Sequence, residues 1–292
     1  FLKENKEYGN VINSLPFIGS NGGVIVDSSL DYMEKLRIKK ELLNAFQLLA
    51  TEEDCILSTI ITSPFDRDVI FYEDNINYSY RDHRICYIKE FNRSFCNPKE
   101  AILSTVEKRC RNSIKRSKKN IKLEYSDNFC DLAKLHRRNI EGKGNFKPFQ
   151  FFDLIKKNFD NNEYELSYAL IDNKIIAGLL VFYFKDTVEY FTPAFDFEYR
   201  AEQATSFLIY EAMKKSIKSG FKYWNFGGTT IPSQMQVAYF KKSWGSYEYP
   251  YYYYIIKHQN IESILSLDEQ EIARLYKWFY VIPFEELKAE VK

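Results

Sequence analysis

The sequence predicts an α/β protein with mixed sheets. Residues 164–256 carry the clearest pattern, whose periodicity predicts three strands, a long helix, a strand, a short helix and a final strand. In the first half, a long amphipathic helix precedes CILSTIIT (residues 55–62), a strand rich in β-branched residues. The length of 292 residues is enough for two compact domains.

The net charge of the chain is too small to attract a polyanion or a membrane surface. Lys and Arg total 41 against 40 for Asp and Glu, which leaves a net charge of +1. The five cysteines form no CxxC pair and the three histidines are scattered, so no zinc-site spacing occurs. No apolar run reaches the ~18 residues that would predict a membrane span. We therefore expect a cytoplasmic protein with free thiols, no bound metal and no membrane span.

The first half of the chain is predicted to alternate between strands and helices. The chain opens on what reads as the end of a strand, so we expect a piece to precede Phe1. Asp27, Ser28 and Ser29 are expected to cap the first long helix. The predicted strands cover residues 1–3, 11–13, 24–26, 55–62, 84–91 and 121–125, and the predicted helices cover 30–49 and 98–120.

The second half starts with two predicted helices, at residues 128–140 and 150–159. The long helix at 201–219 is expected to stop at Gly220, a residue suited to the position after a helix end. The remaining segments are predicted strands at 164–171, 175–184, 187–192, 223–226 and 249–256, a short helix at 233–243 and an amphipathic helical tail.

The end of the predicted 98–120 helix is strongly basic, with cations at Lys108, Arg109, Arg111, Lys115, Arg116, Lys118 and Lys119. Cations near a helix C-terminus are favoured by the helix dipole, so a solvated cationic end is one interpretation. A phosphate-binding surface is the other, because the arginine fork matches phosphate oxygens. The sequence leaves both interpretations open.

Several kinds of catalytic site are poorly supported. No GxSxG turn supports a serine triad, and the dinucleotide fingerprint is missing. The glycine-bearing loop LPFIGSNGG (residues 15–23) lacks the lysine and the spacing of a P-loop. Group transfer that depends on positioning of the reactants remains.

Residues from about Arg109 to Tyr254 resemble the Fem-type (FemAB/FemX-like) aminoacyltransferases and their BioF2-like relatives in the GNAT superfamily. The most specific feature is YWNFGGTT followed by AYFKKSWG; the basic helix, AGLLVFYF and SFLIYEAMKKSIKSG add to it. The resemblance implies two tandem GNAT-like domains, with the C-terminal helix returning to the first. We place these domains at residues 1–125, completed by 258–292, and at 126–257.

The resemblance also implies acyl transfer to an amine, with a Phe-Lys pair beside the reacting carbonyl; Phe240 and Lys241 match that pair. A lysine ammonium near the developing oxyanion would stabilise it by charge, although Lys241 and Lys242 can also be read as a solvated pair. Glu189 is the candidate general base, directly or through water, or else a carboxylate on the sheet surface. Glu189 and Tyr190 alternate along a strand, so only one can face the cleft.

Further residues are candidates for binding substrate: Arg111, Lys115, Arg200, Gln203, Asn225 and Tyr239. GNAT enzymes that use acyl-CoA usually carry glycines before the long helix, whereas this chain reads FEYRAEQATSF there. That difference favours aminoacyl-tRNA over acyl-CoA as the donor. Asn225 stands where relatives often carry Asp, which removes a possible carboxylate.

The expected function is acyl or aminoacyl transfer to an amine of a cell-envelope glycan or peptidoglycan precursor, such as a nucleotide-sugar or peptidoglycan-type acceptor. One alternative is an acyl-CoA-dependent N-acyltransferase acting on an amino sugar. Another is a non-catalytic RNA- or glycan-binding module built on the basic helix. The sequence does not specify the oligomeric state.

Overall fold

The computed structural model describes residues 1–16, 22–66, 68–117, 120–141 and 146–287. Within them the strands are β1 (Leu2–Lys3), β2 (Asn10–Asn13), β3 (Cys55–Ile61), β4 (Tyr80–Glu90), β5 (Lys122–Ser126), β6 (Tyr164–Ile171), β7 (Lys174–Phe184), β8 (Thr187–Phe195), β9 (Tyr223–Thr229) and β10 (Tyr247–Lys257). The helices are α1 (Tyr32–Glu52), α2 (Val69–Asn75), α3 (Pro98–Leu103), α4 (Lys108–Ser117), α5 (Cys130–Ile140), α6 (Phe149–Asn158), α7 (Ala204–Lys218), α8 (Met235–Ser243), α9 (Glu262–Leu265), α10 (Glu269–Leu275) and α11 (Phe284–Leu287).

The chain folds into two compact units, one formed by residues 1–86 and 249–292 and the other by residues 87–248. The boundaries fall inside β4 and β10. They differ from the predicted limits of the two GNAT-like domains, and the tandem GNAT-like arrangement stays a prediction.

The first unit is built on a sheet in which β2 pairs with β1 antiparallel and with β3 parallel. β3 also pairs antiparallel with β10. The C-terminal tail packs within this unit, since the Tyr276 hydroxyl donates to the Gly9 carbonyl at 2.8 Å. The predicted tail helix, which begins at Ser266, is wrong as a single element, because the described part of that tail forms the two short helices α10 and α11.

The second unit contains the antiparallel strands β5, β6, β7 and β8, followed by β9 in parallel with β8. Its apolar core includes Leu132, Phe152, Tyr168 and Leu180. The mixed character predicted for the sheets is confirmed. So is the order of elements between residues 164 and 256, and α7 ends just before Gly220, whose φ is +87°.

The predicted helix over residues 98–120 is wrong as a single element, because it breaks between α3 and α4. At Glu107 the backbone N–H donates to the carbonyl of Ser243 at 2.9 Å instead of continuing the helical ladder. The carbonyl of Leu103, which a continuous helix would use, accepts a hydrogen bond from Arg111 Nη1 at 3.2 Å. Contacts distant in sequence therefore end α3.

Two further local predictions are wrong. Residues 24–26 form no strand, and the N–H of Val24 donates to the Tyr72 hydroxyl at 2.9 Å. Asp31 caps α1 instead of residues 27–29, and its side chain accepts from the N–H of Glu34 at 2.9 Å. The middle of the predicted loop at 15–23 lies outside the described residues.

Candidate active site

Strands β8 and β9 separate part-way along their length. Their parallel pairing covers three residue pairs and ends at Glu189 and Asn225. Both strands continue, β8 to Phe195 and β9 to Thr229. The register of β8 against β7 shifts between Tyr190 and Thr192, so a bulge lies at the point of separation. The sheet therefore opens beyond Glu189 and Asn225.

Two cavities share lining residues, and the smaller of them runs along β8 at this opening. One of about 570 Å³ lies against α4, the start of α7 and α8, and its wall includes Tyr239 and Trp244. The other, about 350 Å³, extends along β8 past Tyr190, Pro193 and Phe195. Both are lined by Arg109, Gln203, Ser206 and Phe240. These shared residues make the two cavities one candidate substrate site.

The N-terminus of α7 lies at this site. Gln203 precedes the helix in a left-handed conformation (φ 57°, ψ 34°), and its side chain makes no capping bond to the helix. The side chain instead donates from Nε2 to the Arg200 carbonyl at 3.1 Å. The first amides of a helix carry partial positive charge and lack helical acceptors, so this end of α7 suits an anionic group.

Lys241 is buried, with 6% of its surface exposed, and it is fully hydrogen-bonded inside the chain. Its Nζ donates to the carbonyls of Gly227 and Gly228, each at 2.9 Å, and to Thr229 Oγ1 at 2.8 Å. The side chain thus ties α8 to the end of β9, and it is not part of either cavity wall. The oxyanion role inferred for Lys241 stays a prediction.

Glu189 and Asn225 form a pair at the last paired position of β8 and β9. Asn225 Nδ2 donates to Glu189 Oε1 at 3.1 Å, and Asn225 Oδ1 accepts from the N–H of Gly227 at 2.8 Å. Tyr190, not Glu189, lines the cavity along β8, and burial raises the pKa of the Tyr190 phenol well above its usual range. The general-base role of Glu189 stays a prediction.

The structure distributes the predicted binding residues unevenly. Arg200, Gln203 and Tyr239 lie on cavity walls, and Tyr239 is 64% exposed. Arg111 instead donates to backbone carbonyls, including that of Val106 at 2.6 Å. Lys115 is exposed away from both walls. Lys118 and Lys119 lie outside the described residues.

Arg109 is the cation that the sequence-based selection missed. It lines both cavities, and it makes no ion pair within the described part of the chain. Helical spacing offers a signal for it, since Arg109, Ser113 and Arg116 recur at intervals of four and three residues along α4. All three line a groove of about 550 Å³ beside Gln203.

We expect Arg109→Ala to weaken binding of ADP or pyrophosphate about tenfold or more, because it removes a charge-assisted hydrogen bond worth about 1.5–3 kcal/mol. Arg111→Ala should mainly lower the melting temperature, since its partners are backbone carbonyls. Titration calorimetry and thermal unfolding of both variants measure these effects. If Arg111→Ala weakened anion binding and Arg109→Ala only lowered the melting temperature, Arg111 would be the anion-binding residue instead.

Two further findings concern the described residues. No group of three or more His, Cys, Asp or Glu side chains comes together there as metal ligands would. No described helix combines the length and apolar character needed to cross a membrane.

Comparison with known proteins relates this geometry to transferases. Residues 106–249 match the family model described as an acetyltransferase (GNAT) domain. FemX is similar with a TM-score of 0.66 and 15% identity over 86% of this chain and 82% of its own. The C-terminal domain of a putative lysylphosphatidylglycerol synthetase from Agrobacterium fabrum has a TM-score of 0.59 and 11% identity, over 92% and 84%.

L-PGS from Bacillus licheniformis has a TM-score of 0.52 and 13% identity, over 89% and 81% of the two chains. Comparison with curated protein sequences finds no match. The structural similarity confirms a fold of the FemX type, and the domain match covers the elements that form the cavities. Residues 106–249 therefore form a GNAT-type acyltransferase domain on a FemX-like fold.

Proposed function

We propose that this protein transfers an acyl or aminoacyl group to an amine of a cell-envelope glycan or peptidoglycan precursor. The reaction would take place where β8 and β9 separate. That separation is the observation that carries the proposal, because it leaves an opening beside Phe240 and a cationic wall at Arg109. Cytoplasmic location is part of the proposal, since charged tRNA and nucleotide-linked precursors are found there.

In the proposed reaction the acceptor nitrogen attacks the donor carbonyl, and a new C–N bond replaces the bond to the leaving group. The attacking amine loses a proton, which Glu189 or a water would accept. Negative charge develops on the carbonyl oxygen, and the end of β9 is where we place it. Lys241 holds the carbonyls of Gly227 and Gly228, so its charge polarises those peptide groups and strengthens them as hydrogen-bond donors.

Aminoacyl-tRNA is the donor we favour. Lysylphosphatidylglycerol synthetase, as its name says, makes an aminoacylated lipid, and that chemistry supports an aminoacyl group here. Gln203 adds to this, because it occupies the start of α7 with a side chain where a glycine would leave the backbone open. The acceptor would then carry its anionic part toward Arg109 and Arg200.

An acyl-CoA-dependent N-acyltransferase acting on an amino sugar is the second candidate. A specific observation favours it: the α7 N-terminus has no side-chain cap and lies beside Arg109 and Arg200, which is a suitable environment for a pyrophosphate. The match to an acetyltransferase family model points the same way.

Donor competition tests the proposal. We expect radiolabelled aminoacyl groups to pass from charged tRNA to a nucleotide-linked peptidoglycan precursor, while acetyl-CoA neither binds saturably nor supports turnover. Acetyl-CoA turnover with an amino sugar would establish the second candidate instead. Absence of transfer from either donor, together with salt-sensitive RNA binding, would reject both in favour of a binding module.

A further inference from the structure

Among the described residues of the second unit, two lysines are buried, and their surroundings differ. Lys241 uses its three N–H donors on three oxygens of the chain. Lys89, on β4, is 1% exposed, and within the described residues its ammonium has one hydrogen-bond partner, the hydroxyl of Thr105. An ammonium group has three donors, so Lys89 is the buried cation with donors left over.

The charge of Lys89 is also uncompensated by the described residues. No carboxylate there forms an ion pair with it, and burial lowers its pKa to about 8. Taking an ammonium out of water without an anionic partner costs free energy, which is why such groups are normally paired. A buried cation kept next to a cleft in this condition is a candidate for interaction with a bound anion.

Lys89 lies close to the wall of the 570 Å³ cavity. Its partner Thr105 is two residues before Glu107, which lines that cavity and donates its N–H to the carbonyl of Ser243. Cys110 and Ser243 line the same cavity, and Cys110 is near enough to Lys89 for the two side chains to influence each other electrostatically. Other groups contribute little: burial raises the pKa of Cys110 to about 12, so its thiol is neutral, while Glu107 and Arg111 act on Cys110 with opposite signs. An anion bound against Cys110 and Ser243 would therefore be attracted by the positive charge of Lys89, with only the neutral thiol of Cys110 between them.

We infer that Lys89 is the counter-charge for an anionic group of the substrate, a carboxylate or a phosphate, that binds at the Cys110–Ser243 part of the cavity. Lys89 acts through Cys110 and the surrounding low-dielectric interior, so it is a positioning residue and not a group in contact with the reacting atoms. Coulombic attraction is several times stronger there than in water. The inference rests on the proposed use of this cavity for substrate.

A purely structural role makes a different set of predictions. In that case Lys89 only ties β4 to the segment between α3 and α4 through Thr105. Removing it would change stability and leave anion affinity and its pH dependence unaltered. Binding measurements can therefore separate the two roles without any acyl-transfer assay, so failure of this inference is distinguishable from failure of the proposed function.

The experiment uses two probes, ADP for the phosphate class and N-acetylglycine for the carboxylate class. The full chain is titrated with each by calorimetry at about pH 7.5 and about pH 9.5, where Lys89 changes from mostly charged to mostly neutral. We expect affinity for at least one probe to fall about tenfold between these values. Lys89→Met should show the lower affinity at both values, and Lys218→Met, at the far end of α7, should behave as the wild type.

Lys89→Arg serves as the second variant if Lys89→Met does not fold. Because arginine stays charged at both pH values, this variant should keep high affinity and lose the pH dependence. The class of the responding probe identifies whether the anion is a phosphate or a carboxylate. A Lys89→Met or Lys89→Arg protein with wild-type affinity and a wild-type pH profile for both probes would overturn the inference.

Discussion

Lys241→Ala is expected to lower turnover by about 10²-fold or more, because it removes the cation that supports the end of β9 where we place the oxyanion. Lys242→Ala is the matched control. Lys242 is the neighbouring residue of α8, and its Nζ forms an ion pair with Glu248 at 2.7 Å. Both side chains of this pair are far more exposed than the side chain of Lys241. Its loss should leave turnover within about twofold, since exposed ion pairs contribute little.

The Lys241 variant must also be tested for stability. It leaves the carbonyls of Gly227 and Gly228 without the partner they have now, and unsatisfied buried groups cost about 1–3 kcal/mol each. Turnover measured well below the melting temperature, with substrate binding measured separately, isolates the kinetic effect. Wild-type turnover in a folded Lys241→Ala protein would remove Lys241 from the mechanism and leave it a structural tie.

Gly245→Ala is expected to destabilise the protein by about 2–5 kcal/mol, the sum of a left-handed backbone and a steric overlap. Gly245 has φ +74°, and a Cβ there would lie 2.5 Å from the carbonyl oxygen of Thr105. Thr105 is also the hydrogen-bond partner of Lys89, so the displaced segment includes the contact that holds Lys89. Chemical denaturation measures the loss directly.

Gly220→Ala provides the comparison for this prediction. Gly220 has φ +87°, but a Cβ there would meet no heavy atom within 4 Å. Its substitution should cost only the conformational part, about 1 kcal/mol. The difference between the two alanine variants therefore measures the overlap with Thr105. Equal losses would mean that the segment at Thr105 can move aside.

Much of the fold follows from local pattern. Alternation predicts β6, β7 and β8, and the helix ending at Gly220 is found where its apolar residues and glycine place it. The point at which β8 separates from β9 could not be predicted in this way. Its position depends on where pairing ends, at Glu189 and Asn225, and no local preference at those residues encodes that end point.

Site residues were harder to predict than elements. A basic run on one helix identifies a cationic segment, yet the choice between Arg109 and Arg111 depends on which side of α4 meets α7 and α8. Arg111 donates hydrogen bonds to backbone carbonyls at the break after α3. That break occurs because the N–H of Glu107 donates to the carbonyl of Ser243. The contact between Glu107 and Ser243 joins residues distant in sequence, so periodicity alone carries no information about it.

Local sequence was sufficient to predict the α/β class, the strand–helix order of residues 164–256 and the likeness of WNFGGTT and FKKSWG to an acyltransferase pattern. These depend on side-chain periodicity and on short motifs, which neighbouring residues encode together. The hydrogen bonding of the two buried lysines depends on the tertiary structure. All three N–H donors of Lys241 are used at the end of β9, whereas Lys89 has one hydrogen-bond partner among the described residues. Hydrogen bonding and solvation of a lysine depend on every element packed around it, and only the folded chain brings those elements together.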